Sequence, residues 1–229
     1  MTRSIARRIK QLGMHPLDMV MFGMPRNGLA VWYNFSSPLN TAQQIYDLSG
    51  NGNHLQVGST AGVDANDFAL AGTCGRFGAD DCGVRANTPV IPSGMTIICA
   101  AKTPPSMAGW RYIFDGDDSV DRVYGALSNS NISLGAGTDG ISGGVCTGTT
   151  DYIFGFVADG VNSKIYKNAS LESVGNAGIN QLSGFTIGAR YSYEDFWGSD
   201  MYQYASYNRV LPDAEYLRVY NYFRRGLEI

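Results

Sequence analysis

The chain has 229 residues, a formal net charge of −3 and 16% charged residues. Such a weak negative charge does not favour bulk binding to nucleic acid. No apolar run approaches the roughly 18 residues needed to span a bilayer, so membrane insertion is not expected. Twenty-nine glycines, eight prolines and 12% aromatic residues are typical of many short strands joined by tight turns, which predicts an all-β protein.

Residues 1–27 differ in composition from the rest of the chain and are predicted to form an N-terminal docking arm. The first 13 residues carry a charge of +4, which leaves −7 for the remainder. Apolar residues at i, i+4 and i+7 predict a short helix over residues 5–12. Four methionines lie between Met14 and Met24, and methionine-rich surfaces adapt to irregular partners. The assembly residues predicted in this arm are Arg3, Arg7, Arg8, Lys10, Met19, Met21 and Phe22.

Two interpretations of this arm stay open: it packs on its own domain as an extra strand, or it docks on another subunit. It does not have the features of a secretory signal, because His15, Pro16 and Asp18 interrupt the apolar stretch and no small-residue cleavage site follows. We therefore expect a protein made in the cytoplasm without a standard export signal.

Residues 28–229 are predicted to form one domain, because strand-like runs and turn signals alternate along it. An Asp159–Gly160 turn divides residues 152–167 into a hairpin, and residues 213–224 are predicted to form a helix. The predicted strands are residues 29–35, 54–58, 75–78, 82–85, 95–102, 111–115, 122–127, 131–135, 152–158, 163–167, 184–189 and 200–207.

Residues 47–55 form an uninterrupted run of turn-forming residues, with the sequence Asp-Leu-Ser-Gly-Asn-Gly-Asn-His-Leu. Asp and Asn side chains bond to nearby backbone, and Asn51–Gly52 favours a tight primed turn. The run is therefore predicted to be a rigid corner between two strands, stabilised by its own side chains.

These residues also carry a family resemblance. The opening pattern, Gly-Leu-x-x-Trp-Tyr-x-Phe from Gly28 followed by the run at 47–55, resembles laminin-G-like domains of the concanavalin A-like lectin/glucanase superfamily. The closing pattern is similar too: Gly184–Arg190, Phe196–Gly198 and Tyr207–Glu215. Pro212 stands where the family usually has Ser, so the first turn of the following helix differs.

The resemblance covers roughly residues 28–220 and implies a two-sheet antiparallel jelly-roll sandwich with a short C-terminal helix. It says little about function, because the superfamily includes lectins, glycosidases, adhesion modules and virion proteins.

Catalysis is not expected. A retaining glycosidase needs two carboxyl groups about 5–5.5 Å apart, which glucanases of this superfamily supply as Glu-x-Asp-x-x-Glu on one strand. No two of the four glutamates have that spacing. They are Glu172, Glu194, Glu215 and Glu228.

The densest acidic stretch contains Asp115, Asp117 and Asp121, which loosely match the spacing of a calcium loop. The stretch has no bidentate glutamate at its end and no flanking helices. A solvated β-turn without metal is therefore the favoured interpretation, and no cofactor is predicted.

Aromatic residues at Tyr191 and Tyr193, with Trp110 elsewhere, are the predicted ligand-binding residues. Aromatic rings stack on sugar faces, but Tyr and Trp also mark protein interfaces. Phe196 and Trp197 are expected to pack on the core.

Four cysteines are present. Cys74 and Cys82 are close enough in sequence to close a small loop, but a reducing compartment favours free thiols, and both states stay open. Cys99 lies in an apolar run and is expected in the core.

These observations predict a non-catalytic structural or binding module of a larger assembly. The arm and the resemblance suggest a virion accessory protein of a tailed bacteriophage: a capsid decoration, head fibre or tail appendage. Its expected partners are other virion proteins, copies of itself and a host-surface glycan. A free carbohydrate-binding lectin is the alternative, and a glycan-cleaving enzyme is the weakest one.

Overall fold

The computed structural model describes residues 24–65 and 67–227, which form a sandwich of two antiparallel sheets with a helix at the C-terminal end. The predicted all-β jelly-roll sandwich is confirmed. The strands are β1 (Leu29–Asn34), β2 (Gln44–Ile45), β3 (Leu55–Val57), β4 (Ala69–Leu70), β5 (Gly75–Arg76), β6 (Gly83–Ile91), β7 (Met95–Lys102), β8 (Trp110–Asp115), β9 (Tyr124–Ser128), β10 (Asn131–Gly135), β11 (Gly140–Val145), β12 (Asp151–Ala158), β13 (Ser163–Lys167), β14 (Ser170–Gly175), β15 (Leu182–Ile187) and β16 (Asp200–Tyr207).

The two sheets have eight strands each. The first sheet has the order β14-β13-β12-β7-β16-β5-β4, with β1 also paired to β16. The second sheet has the order β11-β10-β9-β8-β15-β6-β3-β2. Large aromatic side chains fill the space between them, among them the fully buried Tyr33, Phe114, Phe156, Phe185 and Tyr204. Because successive side chains of a strand point to opposite faces of its sheet, each sheet also has an outer face, directed away from this core.

Helix α1 (Asp213–Leu227) covers the outer face of the first sheet. It is three residues longer than predicted. Tyr216, Val219 and Phe223 are its buried residues, whereas Tyr220, predicted on the same face, is half-buried. The helix buries these residues in one cluster with outward side chains of the first sheet, including Ile98. The described chain places no comparable helix over the second sheet, whose outer face we call the open face.

The run at 47–55 connects the two sheets at a corner of the sandwich, and it does not close a hairpin between paired strands. β1 belongs to the first sheet, whereas β3 belongs to the second. Positive φ values fall on Gly50 and Gly52 and not on Asn51, so the predicted primed turn at Asn51–Gly52 does not form.

Residues 24–27 contact the sandwich. Met24 is buried beside Leu29, and the Arg209 Nε donates a hydrogen bond to the Asn27 carbonyl at 2.8 Å. The arm residues predicted for assembly lie outside the described residues. Within the described chain, the one α-helix is too short and too polar to cross a bilayer.

Candidate functional site

A bulge in β8 sets the geometry of the open face. The pairing register between β8 and β9 shifts between Tyr112 and Phe114, so Ile113 is an extra residue, and both Ile113 and Phe114 are buried in the core. Tyr112 and Asp115 therefore both lie on the open face. Without the extra residue, strict alternation would turn Asp115 towards the core.

Three aromatic rings meet beside this bulge. The Trp110 and Tyr112 rings are stacked with centroids 5.8 Å apart, and Tyr124 meets Trp110 edge-on at 5.9 Å. Gly135, on the neighbouring strand, leaves the space that the Tyr124 ring occupies, because a Cβ at that position would overlap the ring. Trp110 is 37% exposed, so one side of this group of rings faces solvent.

Arg122 lies against three tyrosine rings, those of Tyr112, Tyr124 and Tyr191. Its guanidinium carbon is 4.8 Å from the Tyr124 ring centroid, 5.1 Å from that of Tyr191 and 5.5 Å from that of Tyr112. Such distances are typical of cation–π contacts. Arg122 Nη2 also donates to the Tyr112 hydroxyl at 3.0 Å. We call Trp110, Tyr112, Arg122, Tyr124 and Tyr191 the aromatic cluster.

Asp115 holds Arg122 in place. Arg122 Nε lies 2.8 Å from Asp115 Oδ1, and Arg122 Nη2 lies 2.9 Å from Oδ2, which is a bidentate pair. The backbone N–H groups of Gly116 and Tyr191 donate to the same carboxylate at 2.9 and 3.2 Å. The carboxylate is fully buried, and its bonds join the arginine to the backbone of Gly116 and Tyr191.

Burial and pairing act in opposite directions on the pKa values of the two groups. Burial raises the pKa of Asp115, while the Arg122 hydrogen bonds and charge oppose that change. Burial by itself lowers the pKa of Arg122, but the hydrogen bonds and charge of Asp115 outweigh it and raise that pKa above its ordinary value. Arg122 therefore stays cationic across the physiological range.

The loop of residues 188–198 lies against the open face, between the aromatic cluster and a polar groove lined by Tyr193. The Tyr112 N–H donates to the Asp195 carbonyl at 3.1 Å, and the Trp197 N–H donates to the Gly188 carbonyl at 2.7 Å. Trp197 is fully buried, as predicted. Tyr193 and Asp195 have φ values of 57° and 52°, which non-glycine residues rarely adopt and which concentrate at functional sites.

A polar groove of about 700 Å³ lies beside Tyr193. Its walls include Gln43, His54, Arg85 and Tyr193, from the segment before β2, the residue before β3, strand β6 and the 188–198 loop. Tyr193 is 46% exposed at the rim. We call this depression the Arg85 groove.

The structure places the three predicted ligand-binding residues in two neighbouring regions. Trp110 and Tyr191 belong to the aromatic cluster, and Tyr193 borders the Arg85 groove. Sequence reasoning did not identify Arg122 or Tyr124 as members of this cluster. The alternation of Trp110 and Tyr112 along β8 was an available signal, since residues two apart on a strand share a face.

The predicted acidic stretch does not converge on one point. Asp115 is buried against Arg122, so it is not part of a solvated turn. Asp121 Oδ2 instead accepts a hydrogen bond from Gln181 Nε2 at 2.8 Å. Among residues 24–65 and 67–227, no group of three or more His, Cys, Asp or Glu side chains is arranged to hold a metal ion.

All four cysteines are free and buried, which includes Cys74 and Cys82. Burial raises the pKa of the Cys82 thiol to about 12 and that of Cys146 to about 11. Such thiols react slowly, so they are structural residues.

The comparisons with known proteins show the fold. No family model matches the chain, and no curated protein matches it. A mutant of Trypanosoma rangeli sialidase displaying trans-sialidase activity superposes with a TM-score of 0.66 at 14% identity, over 96% of this chain and 38% of that one. A Trypanosoma rangeli sialidase in complex with sialic acid has a TM-score of 0.57 at 15% identity, covering 84% of this chain and 32% of that one.

A third neighbour matches almost over its whole length. Domain 4 of AbnA, a GH43 extracellular arabinanase from Geobacillus stearothermophilus, in complex with arabinotriose, has a TM-score of 0.62 at 15% identity, covering 82% of this chain and 95% of that one. The chain thus spans about a third of the sialidases and nearly all of the arabinanase domain. At these identities the likeness is one of fold alone.

Proposed function

We propose that this protein is a carbohydrate-binding module whose binding surface is the aromatic cluster on the open face. The observation that carries the proposal is the arrangement of Tyr112, Tyr124 and Tyr191 around Arg122, with Trp110 packed on Tyr112 and Tyr124, on the sheet face that α1 leaves uncovered. Aromatic rings offer flat apolar surface, which matches the apolar C–H face of a sugar ring. The arginine adds hydrogen-bond donors for hydroxyl groups.

The rigidity of the cluster supports this proposal. The backbone N–H groups of Gly116 and Tyr191 hold Asp115, Asp115 holds the arginine, and the arginine contacts three rings. Pre-ordered aromatic side chains lose little conformational entropy when a ligand binds. The neighbours solved as complexes, a sialidase with sialic acid and an arabinanase domain with arabinotriose, support it only by analogy of fold.

The first prediction is that the aromatic cluster binds glycan. We expect Trp110→Ala and Tyr191→Ala to weaken binding of the best oligosaccharide from a glycan array at least tenfold, or about 1.4 kcal/mol. Titration calorimetry on the full chain measures it. Tyr220→Ala, on the helix of the other sheet, is the matched control. Unchanged affinity in both cluster variants, or no glycan bound by the parent, contradicts the proposal.

We infer that the module is not catalytic. In support, Arg122 and two backbone N–H groups take up the lone pairs of Asp115, the buried carboxylate beside the aromatic cluster. Glu194, in the adjoining loop, accepts from Arg190 at 2.6 Å. The second prediction is that no reducing sugar is released from the bound oligosaccharide. A reducing-sugar assay measures this, and sustained release contradicts the inference.

We further propose that the module serves in a larger assembly, as an accessory protein of a bacteriophage virion made in the host cytoplasm. Support comes from the sequence: the laminin-G-like patterns and a basic, methionine-rich arm before the sandwich. Its partners would be other virion proteins, copies of itself and a host-surface glycan. Light scattering on the full chain tests self-assembly, and a strict monomer contradicts that part of the proposal.

A further inference from the structure

Three aliphatic side chains are exposed together at one end of the sandwich. Val120, Val161 and Ile179 are 73, 70 and 74% exposed. They belong to three different connections, which follow β8, β12 and β14. Single exposed aliphatic residues are common on proteins, but a contiguous exposed apolar patch marks an interaction surface.

The connections that carry these residues contact each other. Asn180 Nδ2 donates to the Val120 carbonyl at 2.8 Å, which joins the connection after β14 to the one after β8. A Cβ at Gly160 would lie 3.3 Å from Ile179 Cγ2, so the turn that carries Val161 packs beside Ile179. Val161 and Ile179 also line one depression of about 510 Å³. We call Val120, Val161 and Ile179 the apolar rim.

Carboxylates surround the apolar rim. Asp139 and Asp159 line the same depression, and neither forms a salt bridge within the described chain. The connections around the rim contain no lysine or arginine; they are residues 116–121, 136–139, 159–162 and 176–181. Their acidic residues are Asp117, Asp118, Asp121, Asp139 and Asp159. The surface is therefore an apolar patch with an acidic border.

The chain enters the sandwich at the same end. β1 begins at Leu29, which pairs with Tyr207, and the neighbouring pairs of Tyr207 are made with Thr96 at the start of β7. Met95, also at the start of β7, pairs with Ala158 at the end of β12. The turn that carries the apolar rim follows β12 directly. The strand register thus places the entry into β1 and the rim at one end of the molecule.

The segment that precedes Met24 matches this surface in charge and in pattern. Residues 1–13 carry a charge of +4 and no acidic residue. Ile5, Ile9 and Leu12 have the spacing of one helical face. A basic segment with an apolar stripe complements an apolar patch with an acidic border, because opposite charges flank the apolar contact on both sides.

We propose that the apolar rim and its acidic border bind residues 1–13 of a second copy of this chain. Because the entry into β1 and the rim lie at one end, two copies that meet there around a two-fold axis can each place an arm on the partner's rim. Residues 14–23 reach up to about 36 Å when extended, so residues 1–13 are not confined to their own copy. The proposal rests on the proposed self-assembly, for which it names the binding surface.

The test uses the full chain and two variants with reversed charge. The rim variant carries Asp139→Lys and Asp159→Lys, and the arm variant carries Arg7→Glu and Arg8→Glu. Each should weaken self-association at least tenfold in light scattering over a dilution series. An equimolar mixture should assemble, because each arm then meets a rim of opposite charge on the other variant. Asp80→Lys, at an exposed aspartate before the opposite end of β6, is the control and should assemble like the parent.

A second rim variant removes the apolar contact and keeps the charge. Val161→Ser combined with Ile179→Ser should also weaken self-association at least tenfold, since the arm loses the apolar surface on which its stripe packs. Melting temperatures of all variants identify any loss that comes from misfolding. The single Asp159→Lys variant tests the same contact if the double charge variant is destabilised.

The outcomes separate this proposal from the proposed self-assembly. A parent chain that stays monomeric overturns both. A parent that assembles, with rim variants that assemble equally well, overturns the docking surface and leaves self-assembly standing. A mixture of the rim and arm variants that stays monomeric overturns the exchange of arms between copies. Rim and arm variants that melt at lower temperature but assemble like the parent would place the arm on its own copy, which also overturns the proposal.

Discussion

Arg122 is the residue that joins the most parts of the open face. It contacts rings from β8, β9 and the 188–198 loop. Its ion-pair partner Asp115 also accepts a hydrogen bond from the Tyr191 backbone N–H. Buried ion pairs contribute little net stability when compared with apolar replacements, because both charges lose their hydration. We therefore attribute the pair to the positioning of the aromatic rings.

The third prediction concerns this pair. Asp115→Asn or Arg122→Met should each lower the free energy of unfolding by about 3 kcal/mol, because each leaves a buried charge without its partner. The double variant should lose less than the sum of the single losses, since it leaves no orphan charge. Urea denaturation with unchanged slope measures both effects. Single losses below about 0.5 kcal/mol would show that the pair is not important for stability.

At the scale of elements, the corner at 47–55 is held by its own side chains. Asp47 accepts four hydrogen bonds: from the backbone N–H groups of Trp32, Ser49 and Asn53, and from the Ser49 hydroxyl, at 2.8–3.0 Å. Asn51 Nδ2 donates to the carbonyls of Leu29 and Ala30 at 2.8 and 3.0 Å. These bonds tie β1 of one sheet to the chain entering β3 of the other.

The fourth prediction concerns this corner. Each of these bonds contributes about 0.5–1.5 kcal/mol, so Asp47→Ala, which removes four, should destabilise the domain more than Asn51→Ala, which removes two. Thermal melting measures the order. Asn162→Ala, at an exposed turn position, is the matched control and should leave the melting temperature unchanged. If both corner variants melt like the parent but lose glycan binding, the corner is a ligand site and not a structural one.

At the scale of the whole molecule, the two sheets have different roles. Helix α1 and residues near Met24 bury the outer face of the first sheet in an apolar cluster. The outer face of the second sheet carries half-exposed aromatic residues, the ion pair of Arg122 with Asp115, and a polar groove. One sheet is therefore committed to the stability of the domain, and the other is accessible to a ligand.

The fifth prediction concerns the arm. A chain that begins at Met24, which keeps this buried residue, should fold with nearly the parent melting temperature and bind the same glycan. It should no longer self-assemble, because the basic, methionine-rich segment is gone. Light scattering compares the two chains. A truncated chain that fails to fold, or that assembles like the parent, would show that the arm belongs to its own domain.

The sequence by itself determined the all-β class, most strand positions, the helix and the structural corner. These features depend on neighbours a few residues away: alternation, turn-forming side chains and the apolar stripe of α1. It also named Trp110, Tyr191 and Tyr193 as ligand-binding residues, of which Trp110 and Tyr193 are exposed and Tyr191 is half-buried. In contrast, the register of distant strands is not encoded in any local pattern. The sequence therefore did not reveal that Asp115 would accept a hydrogen bond from Tyr191, 76 positions away.

Only the tertiary structure decided which residues share a site. The bulge at Ile113 turns Asp115 outward, and the pairing of β8 with β9 and β15 brings Arg122 under three rings. The Arg85 groove likewise joins the segment before β2, strand β6 and the 188–198 loop, more than 140 positions apart at its extremes. Burial and charge at these points are properties of assembled surfaces, because they depend on which segments exclude water together.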